Sequence, residues 1–302
     1  MKPQTSNLLR TVFCPLLAAF LWGSTFVAQG VAAETVPPFT FNAMRSWLGA
    51  LFLYIISLYI SKHSPVPADA RPRYRRDLLV GGLCCGLMLA IASNLQQFGM
   101  SDTDPGKAGF ITSLYVVLVP VFGLFCNRRA PLTVWVGIAI ALVGLYLLCL
   151  TDALTVAPSD AVILLCAIFF AVQILFLDRF TPKVNSIHLS CAQLIVNAAV
   201  STVLMFVFER PDWNAVLACW LPIAYAGILS SGIAYTLQTI SLKGSNPTTV
   251  TLLLSLESVF SVLTGMAFGD VMTLREWIGC LLMFGAVTLA NLPVPTKKLT
   301  KL

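Results

Sequence analysis

Charge is what this chain lacks. Only 11% of its 302 residues are Asp, Glu, Lys or Arg, against a hydrophobic fraction of 58% and a mean hydropathy of +0.85. A water-soluble domain carries about 25% charged residues. The length would suit two soluble domains, but the polar surface to coat them is missing, which excludes a cytosolic enzyme, a secreted domain and a disordered chain. Chemical signatures are absent too. No H-E-x-x-H, G-x-S-x-G, acidic metal motif or glycine-rich phosphate loop occurs, so no catalytic constellation or cofactor is expected. His63 falls in a loop and His188 near the start of a helix, neither with a partner by spacing. The nine cysteines form no C-x-x-C pair and sit in or beside apolar runs, where they read as small hydrophobes rather than metal ligands or a disulfide framework. The net charge of +6 lies in loops and reads as membrane topology, not as a nucleic-acid surface.

What is present is apolar length. About 20 apolar residues cross a hydrocarbon core of about 30 Å. Ten segments qualify: roughly 12–32, 37–60, 78–99, 105–126, 131–150, 159–178, 185–208, 214–240, 247–268 and 273–292. The first has no small-residue cleavage site before its end and is read as a retained helix, not a signal peptide. The expected fold is an all-α integral membrane protein whose partner is the lipid bilayer. With both termini on one side, fifteen of the nineteen Lys and Arg residues fall on that side, among them Lys62, Arg71, Arg73, Arg75, Arg76, Arg128, Arg129, Lys183 and Lys243. Lys107, Arg210 and Arg275 fall opposite, and Arg45 lies within a span. The positive-inside rule then makes both termini cytoplasmic.

A self-comparison at a shift of 142 residues matches Leu95 with Leu237, Gln96 with Gln238, Pro105 with Pro247, Ser113 with Ser255, Trp135 with Trp277 and Gly137 with Gly279, without a gap. Residues 1–150 and 151–302 are therefore read as two repeats of five helices each. Five is odd, so the second repeat enters the membrane upside down. Inverted repeats give alternating access around a site near the midplane.

Two full charges lie deep. Arg45 is eight residues past Pro37 and Glu257 ten past Pro247, about 12 and 15 Å in at 1.5 Å per residue. A buried charge costs about 2.5–3.5 kcal/mol on insertion scales and is turned inward. Either residue reads equally as a structural partner or as a substrate contact, and the Glu257 carboxyl additionally suits proton coupling. The repeat places Tyr115 opposite Glu257. Helical spacing adds Trp22, Thr25 and Gln29 on the first helix, Asn42 beside Arg45 on the second, and Asn94 and Gln97 on the third. Gln193 and Asn197 lie on the seventh, Ser231, Tyr235 and Gln238 on the eighth, and Ser261 one turn after Glu257. Interhelical hydrogen bonding is the bland account of any one of them. As a set with the aromatic residues they suit a small polar or zwitterionic metabolite. Gly82 with Gly86, and Gly137 with Gly279, read as helix-packing positions.

Trp22-Gly23-Ser24-Thr25-Phe26, Arg45, the run Gly109 to Pro120, and Leu256-Glu257-Ser258-Val259-Phe260 through Gly279 carry a resemblance to the EamA-type, ten-helix branch of the drug/metabolite transporter superfamily. It covers about 12 to 292 and implies an inner-membrane carrier of small metabolites, often an exporter of amino acids or amines, with a homodimer through the last helix of each half in some members. The alternatives are a cationic-drug efflux carrier and, behind it, an intramembrane enzyme. Two departures stand out. The usual L-E-P reads Leu256-Glu257-Ser258, leaving a proline-made break in the ninth helix without its proline, and an acidic residue commonly Glu is Asp270.

Overall fold

The structure, a computed structural model, describes residues 8–100, 105–125, 130–149, 157–269 and 271–291. Asp102, Asp104, Arg128, Arg129, Asp152, Asp270, Cys126 and the lysines at both termini lie outside the described residues, as does the side chain of Lys107. We number the helices α1 (Leu9–Ala33), α2 (Pro38–His63), α3 (Arg71–Gly99), α4a (Pro105–Ser113), α4b (Tyr115–Phe125), α5 (Leu132–Cys149), α6 (Pro158–Phe180), α7 (Ser186–Phe208), α8 (Trp220–Leu242), α9a (Pro247–Leu254), α9b (Glu257–Ala267) and α10 (Leu274–Asn291). Proline opens α2, α4a, α6 and α9a, where its missing N–H would find no partner in any case. Asn185 and Asn246 cap α7 and α9a, accepting from the backbone N–H of Ile187 and of Thr248 at 2.9 Å each.

Among the described residues nine helices are long and apolar enough to cross a membrane by themselves. The tenth, α10, has 18 residues and falls short because Arg275 and Glu276 open it and Asn291 closes it. It packs along the full length of α5 and completes a ten-helix, two-repeat membrane protein. Large apolar side chains cover the outside of the bundle, such as Leu79, Val203, Phe206 and Leu281, each more than 60% exposed. That surface suits hydrocarbon, because a helix closes its backbone hydrogen bonds within itself.

Helix α3 begins at Arg71 rather than near 78. Its first two turns carry four arginines, so hydropathy cannot see them, yet Arg73 and Arg76 still reach Asp77 at 3.9 and 3.7 Å. Tyr74 turns inward: its hydroxyl accepts from the Asn185 N–H at 3.2 Å and lies 2.6 Å from His188 Nδ1.

Packing follows the inverted repeat. Helix α2 lies on α7 and α5 on α10, each helix meeting its own repeat mate. Helix α3 lies on α6 and α7, matching α8 on α1 and α2. A Cβ on Gly144 would stand 3.0 Å from the Gly279 carbonyl oxygen. Shifted by one repeat, that contact becomes Gly137 against Ala286, where a Cβ would again stand 3.0 Å from the carbonyl oxygen. The glycines of α5 and α10 thus hold these two helices together within one chain. Gly82 and Gly86 do the same for α3, against Ala192 and Val196 of α7.

Helices four and nine, expected as single spans, are each broken once, and at equivalent residues. The Leu114 N–H bonds to the Ile111 carbonyl at 3.2 Å, and its mate Leu256 bonds to Leu253 at 3.2 Å. Both are bonds to the third residue back, which tighten the helix locally and turn its axis. No proline is needed in α9. Instead Thr251 and Ser255 donate to the carbonyls of Thr248 and Leu252 at 2.9 and 2.8 Å, competing with the backbone ladder beside the break. Tyr115 and Glu257 are the first residues beyond the two breaks.

Candidate functional site

The breaks meet at the centre of the bundle. Tyr115 and Glu257, exact repeat mates 142 residues apart, touch: the Tyr115 hydroxyl donates to Glu257 Oε1 at 3.1 Å. A residue touching its own mate marks the pseudo-twofold axis. Around this pair lies a central cavity lined by Trp22 and Phe26 of α1, Phe170 and Ile174 of α6 at the same spacing, Gln29, Arg45, Gln96, Thr112, Ser230, Tyr235 and Gln238. About 50 Å³ of it is open to the centre of a water molecule. One water needs about 10–15 Å³ on that measure, so the space holds several waters or a small polar group.

Arg45 is 4% exposed and Glu257 7%, and both line this cavity. They do not pair. Arg45 Nε donates to Asn42 Oδ1 at 2.8 Å and Nη1 to Gln29 Oε1 at 3.4 Å, with the guanidinium 5.6 Å from the centre of the Phe41 ring. Among the described residues no carboxylate lies within 4 Å of it. The cavity therefore carries a guanidinium and a carboxyl group that are not joined in an ion pair. Trp22 stacks edge-on against Tyr235 at 5.0 Å, fixing the indole at the cavity wall.

Of the residues singled out by spacing, Trp22, Gln29, Arg45, Tyr115, Tyr235, Gln238 and Glu257 come together here. The others do not line this cavity. Thr25 is fully buried and its hydroxyl bonds to the Leu21 carbonyl. Asn42, Asn94 and Asn197 belong to a polar core joining α2, α3 and α7. Asn42 Nδ2 donates to Ser93 and Ser201 at 3.0 Å each, Asn94 Nδ2 donates to Ser201 at 2.8 Å, and Asn197 Nδ2 donates to Ser46 at 3.0 Å. Through Asn42 this core holds the guanidinium edge of Arg45. Gln193 accepts from Gln173 at 3.0 Å, and Gln97 is buried away from the cavity. Ser261 lines a separate space described below.

The spacing argument missed Gln96, Thr112, Phe170, Ile174 and Ser230. Gln96 was readable: it is the repeat mate of Gln238. Ser230 was not. Residues Ala226–Ala234 form a π-helical stretch, whose wider turns bring Ser230 rather than Ser231 onto the face of Tyr235 and Gln238. That stretch also lets α8 approach α2 closely, where a Cβ on Gly49 would stand 2.8 Å from the Gly227 carbonyl oxygen.

A larger vestibule of about 440 Å³ on the same measure opens toward the face opposite the basic loops. It lies between α1, α4a, α5, α9b and α10, and its walls include Gly30, Gly109, Ser258, Ser261 and Glu276. Phe26 belongs to both spaces and separates them. The two repeats differ here. Thr251, the repeat mate of Gly109, is fully buried, whereas nothing stands within 4 Å of a Cβ on Gly109. Gly30 and Gly109 accordingly face open space. On the basic-loop side the path is closed by Leu21, Val119, Leu177, Leu242, Val250 and Leu254. Among the described residues no three His, Cys, Asp or Glu side chains gather as metal ligands.

The chain is similar to a protein of Archaeoglobus fulgidus described as an uncharacterized transporter, with 26% identity over 92% of this chain and 84% of that protein. It is also similar to the uncharacterized inner membrane transporter YedA of Escherichia coli, with 25% identity over 94% and 92%. A crystal structure at 23% identity superposes with a TM-score of 0.76 over 93% of this chain and 96% of that one, a likeness of fold. The sequence matches the EamA-like transporter family twice, over residues 9–150 and 158–292. The chain, a multi-pass membrane protein, belongs to the EamA-like transporter family.

Proposed function

We propose that this transporter carries a small zwitterionic metabolite, an amino acid or a close relative, by alternating access across the cytoplasmic membrane. The observation that carries the reading is that Arg45 and Glu257 line one cavity without forming an ion pair, each held by partners of its own. A purely structural pair would close, because an unpaired buried charge is costly. Held apart, the two groups match a carboxylate and an ammonium on one molecule. A simple amine would leave Arg45 unmatched, which disfavours the cationic-drug alternative.

Residues 1–150 and 151–302 act as the two exchanging repeats. With the basic loops in the cytoplasm, the present conformation faces outward: α4a stands open from α1 while α9a is closed. The opposite state follows when the repeats trade conformations, with α4a closing over Phe26. Glu257 lies on the axis, where either side reaches it in turn, and it couples export to inward proton flow. No step calls for covalent chemistry.

Counterflow in proteoliposomes tests this. Vesicles loaded with an unlabelled amino acid are expected to accumulate the same labelled amino acid from outside, faster with a pH gradient, and to ignore amines that lack a carboxylate. Exchange of amines but of no amino acid would refute the zwitterion assignment.

A further inference from the structure

The start of α3 carries charge that neither the transport cycle nor the packing uses. Arg71, Arg73, Arg75 and Arg76 all stand exposed on its first two turns, and the acids of this stretch are Asp69 and Asp77 alone. Arg71 Nε donates to the Val66 carbonyl at 3.0 Å. Arg73 and Arg76 lie 3.9 and 3.7 Å from Asp77, beyond hydrogen-bond length, with their side chains 82% and 72% exposed. Arg75 has no ion pair among the described residues.

The same helix fixes where these groups stand relative to hydrocarbon. Leu79, Val80, Leu83 and Leu87 form its exposed apolar stripe. Arg75 and Arg76 precede Leu79 and Val80 by four residues each, so they continue that stripe by one turn, about 6 Å, toward the basic-loop side. Helical side chains lean toward the N-terminus, which carries both guanidinium groups away from the hydrocarbon and into the headgroup layer. The inward face of this turn is already taken, with the Tyr74 hydroxyl 2.6 Å from His188 Nδ1 of α7.

The repeat shows that the fold does not require these cations. At a shift of 142 residues Arg71, Arg73, Arg75 and Arg76 become Trp213, Ala215, Leu217 and Ala218. That segment is again helical, Trp213–Ala218, and leads into α8 at the opposite membrane face, with Trp213 and Leu217 53% and 68% exposed. One structural element thus meets one face with arginine and the other with tryptophan and leucine. Setting topology needs only positive charge somewhere on the basic side. Two planar guanidinium groups directly above a lipid-facing stripe match a phosphate that carries acyl chains.

We propose that Arg75 and Arg76 form a headgroup site for an anionic phospholipid of the leaflet on the basic-loop side. The two guanidinium groups hold its phosphate, and an acyl chain runs along Leu79 and Leu83. A headgroup with an ammonium of its own answers the phosphate internally and is held less well, so the site selects net negative charge. The site is independent of what the central cavity carries.

Native mass spectrometry of the purified full chain in detergent, titrated with dioleoyl phosphatidylglycerol or dioleoyl phosphatidylcholine, tests this. The first phosphatidylglycerol is expected to bind with a Kd about tenfold below that of phosphatidylcholine, on the scale of one or two arginines near a membrane surface. Arg75→Gln combined with Arg76→Gln should bring that ratio close to one. Lys243→Gln, which removes a charge from another loop of the same side, should leave it unchanged. Arg75→Lys combined with Arg76→Lys keeps the charge that sets topology, serves should the glutamine variant insert wrongly, and should bring the ratio well below the wild-type value, because an ammonium has no fork. Glycerol phosphate, the headgroup chemistry without chains, should not displace the lipid. A wild-type ratio near one, a glutamine variant with the wild-type ratio, or an equal loss in Lys243→Gln would overturn the site. Displacement by glycerol phosphate at the lipid's own concentration would overturn the lipid assignment, and a wild-type ratio in the lysine variant would overturn the paired fork.

Discussion

Gly23 offers a measurement in which the structure fixes both sign and size. A Cβ placed on it would lie 2.5 Å from the Glu257 carbonyl oxygen, 2.7 Å from Phe260 Cβ and 2.8 Å from the Ser261 nitrogen. Ordinary contact begins near 3.4 Å, and two of the three obstacles are backbone. Gly23→Ala must therefore push α9b away from α1 by most of an ångström, at the residue that opens the half-helix. Overpacking costs about 1–3 kcal/mol, and because backbone atoms that cannot swing aside stand in the way, the upper part of that range, about 2–3 kcal/mol, applies. Replacing a helical glycine returns up to about 1 kcal/mol, leaving a net loss of about 1–2 kcal/mol. At about 2–4 °C per kcal/mol, Tm should fall by roughly 2–8 °C. Gly30, two turns along the same helix, is the internal control, because nothing stands within 4 Å of its Cβ. Gly30→Ala should keep or raise Tm by the helix-propensity gain alone. Thermal unfolding of the purified protein in detergent, followed by intrinsic fluorescence, reads both. Counterflow reads the displacement of Glu257, which should slow exchange in Gly23→Ala only. Equal Tm for the two variants would refute the close approach of α1 to α9b and the placement of Glu257 built on it.

Further outcomes are expected. Glu257→Gln should insert but bind the zwitterion more weakly and lose transport driven by a pH gradient; wild-type rate with unchanged pH dependence would make Glu257 structural. Arg45→Ala should raise KM in counterflow at least tenfold, and Arg45→Lys should come close to it, because Asn42 and Gln29 hold a planar fork that an ammonium cannot reproduce; full rescue by lysine would reduce Arg45 to a point charge. Gly144→Leu should break the α5–α10 contact, where a Cβ already stands 3.0 Å from the Gly279 carbonyl, and should lower Tm by several degrees. Reporter fusions after Lys301 and within the 152–160 loop should report opposite sides of the membrane, and agreement between them would sink the ten-span topology.

The sequence alone settled what the bilayer itself demands. Spans must be apolar and about 20 residues long, so their number and positions were legible from hydropathy, and the basic residues sorted to one face. The gapless repeat gave the inverted halves, and through them the meeting of Tyr115 with Glu257. Even the overlooked Gln96 was written there, as the mate of Gln238. Which polar residues face a cavity was a tertiary decision. In a membrane protein the surface is as apolar as the core, so periodicity does not tell a helix's inner face from its outer one. Asn42, Asn94 and Asn197 carry the same polar signal as Gln238, yet they close on one another between α2, α3 and α7. The break in α9, made by hydroxyl back-bonding without proline, and the π-helical turns that bring Ser230 rather than Ser231 to the cavity are local shifts of helical register. Such shifts arise from contacts between helices distant in the chain, and so does the separation of Arg45 from Glu257: each is anchored by partners of its own before the other comes within reach.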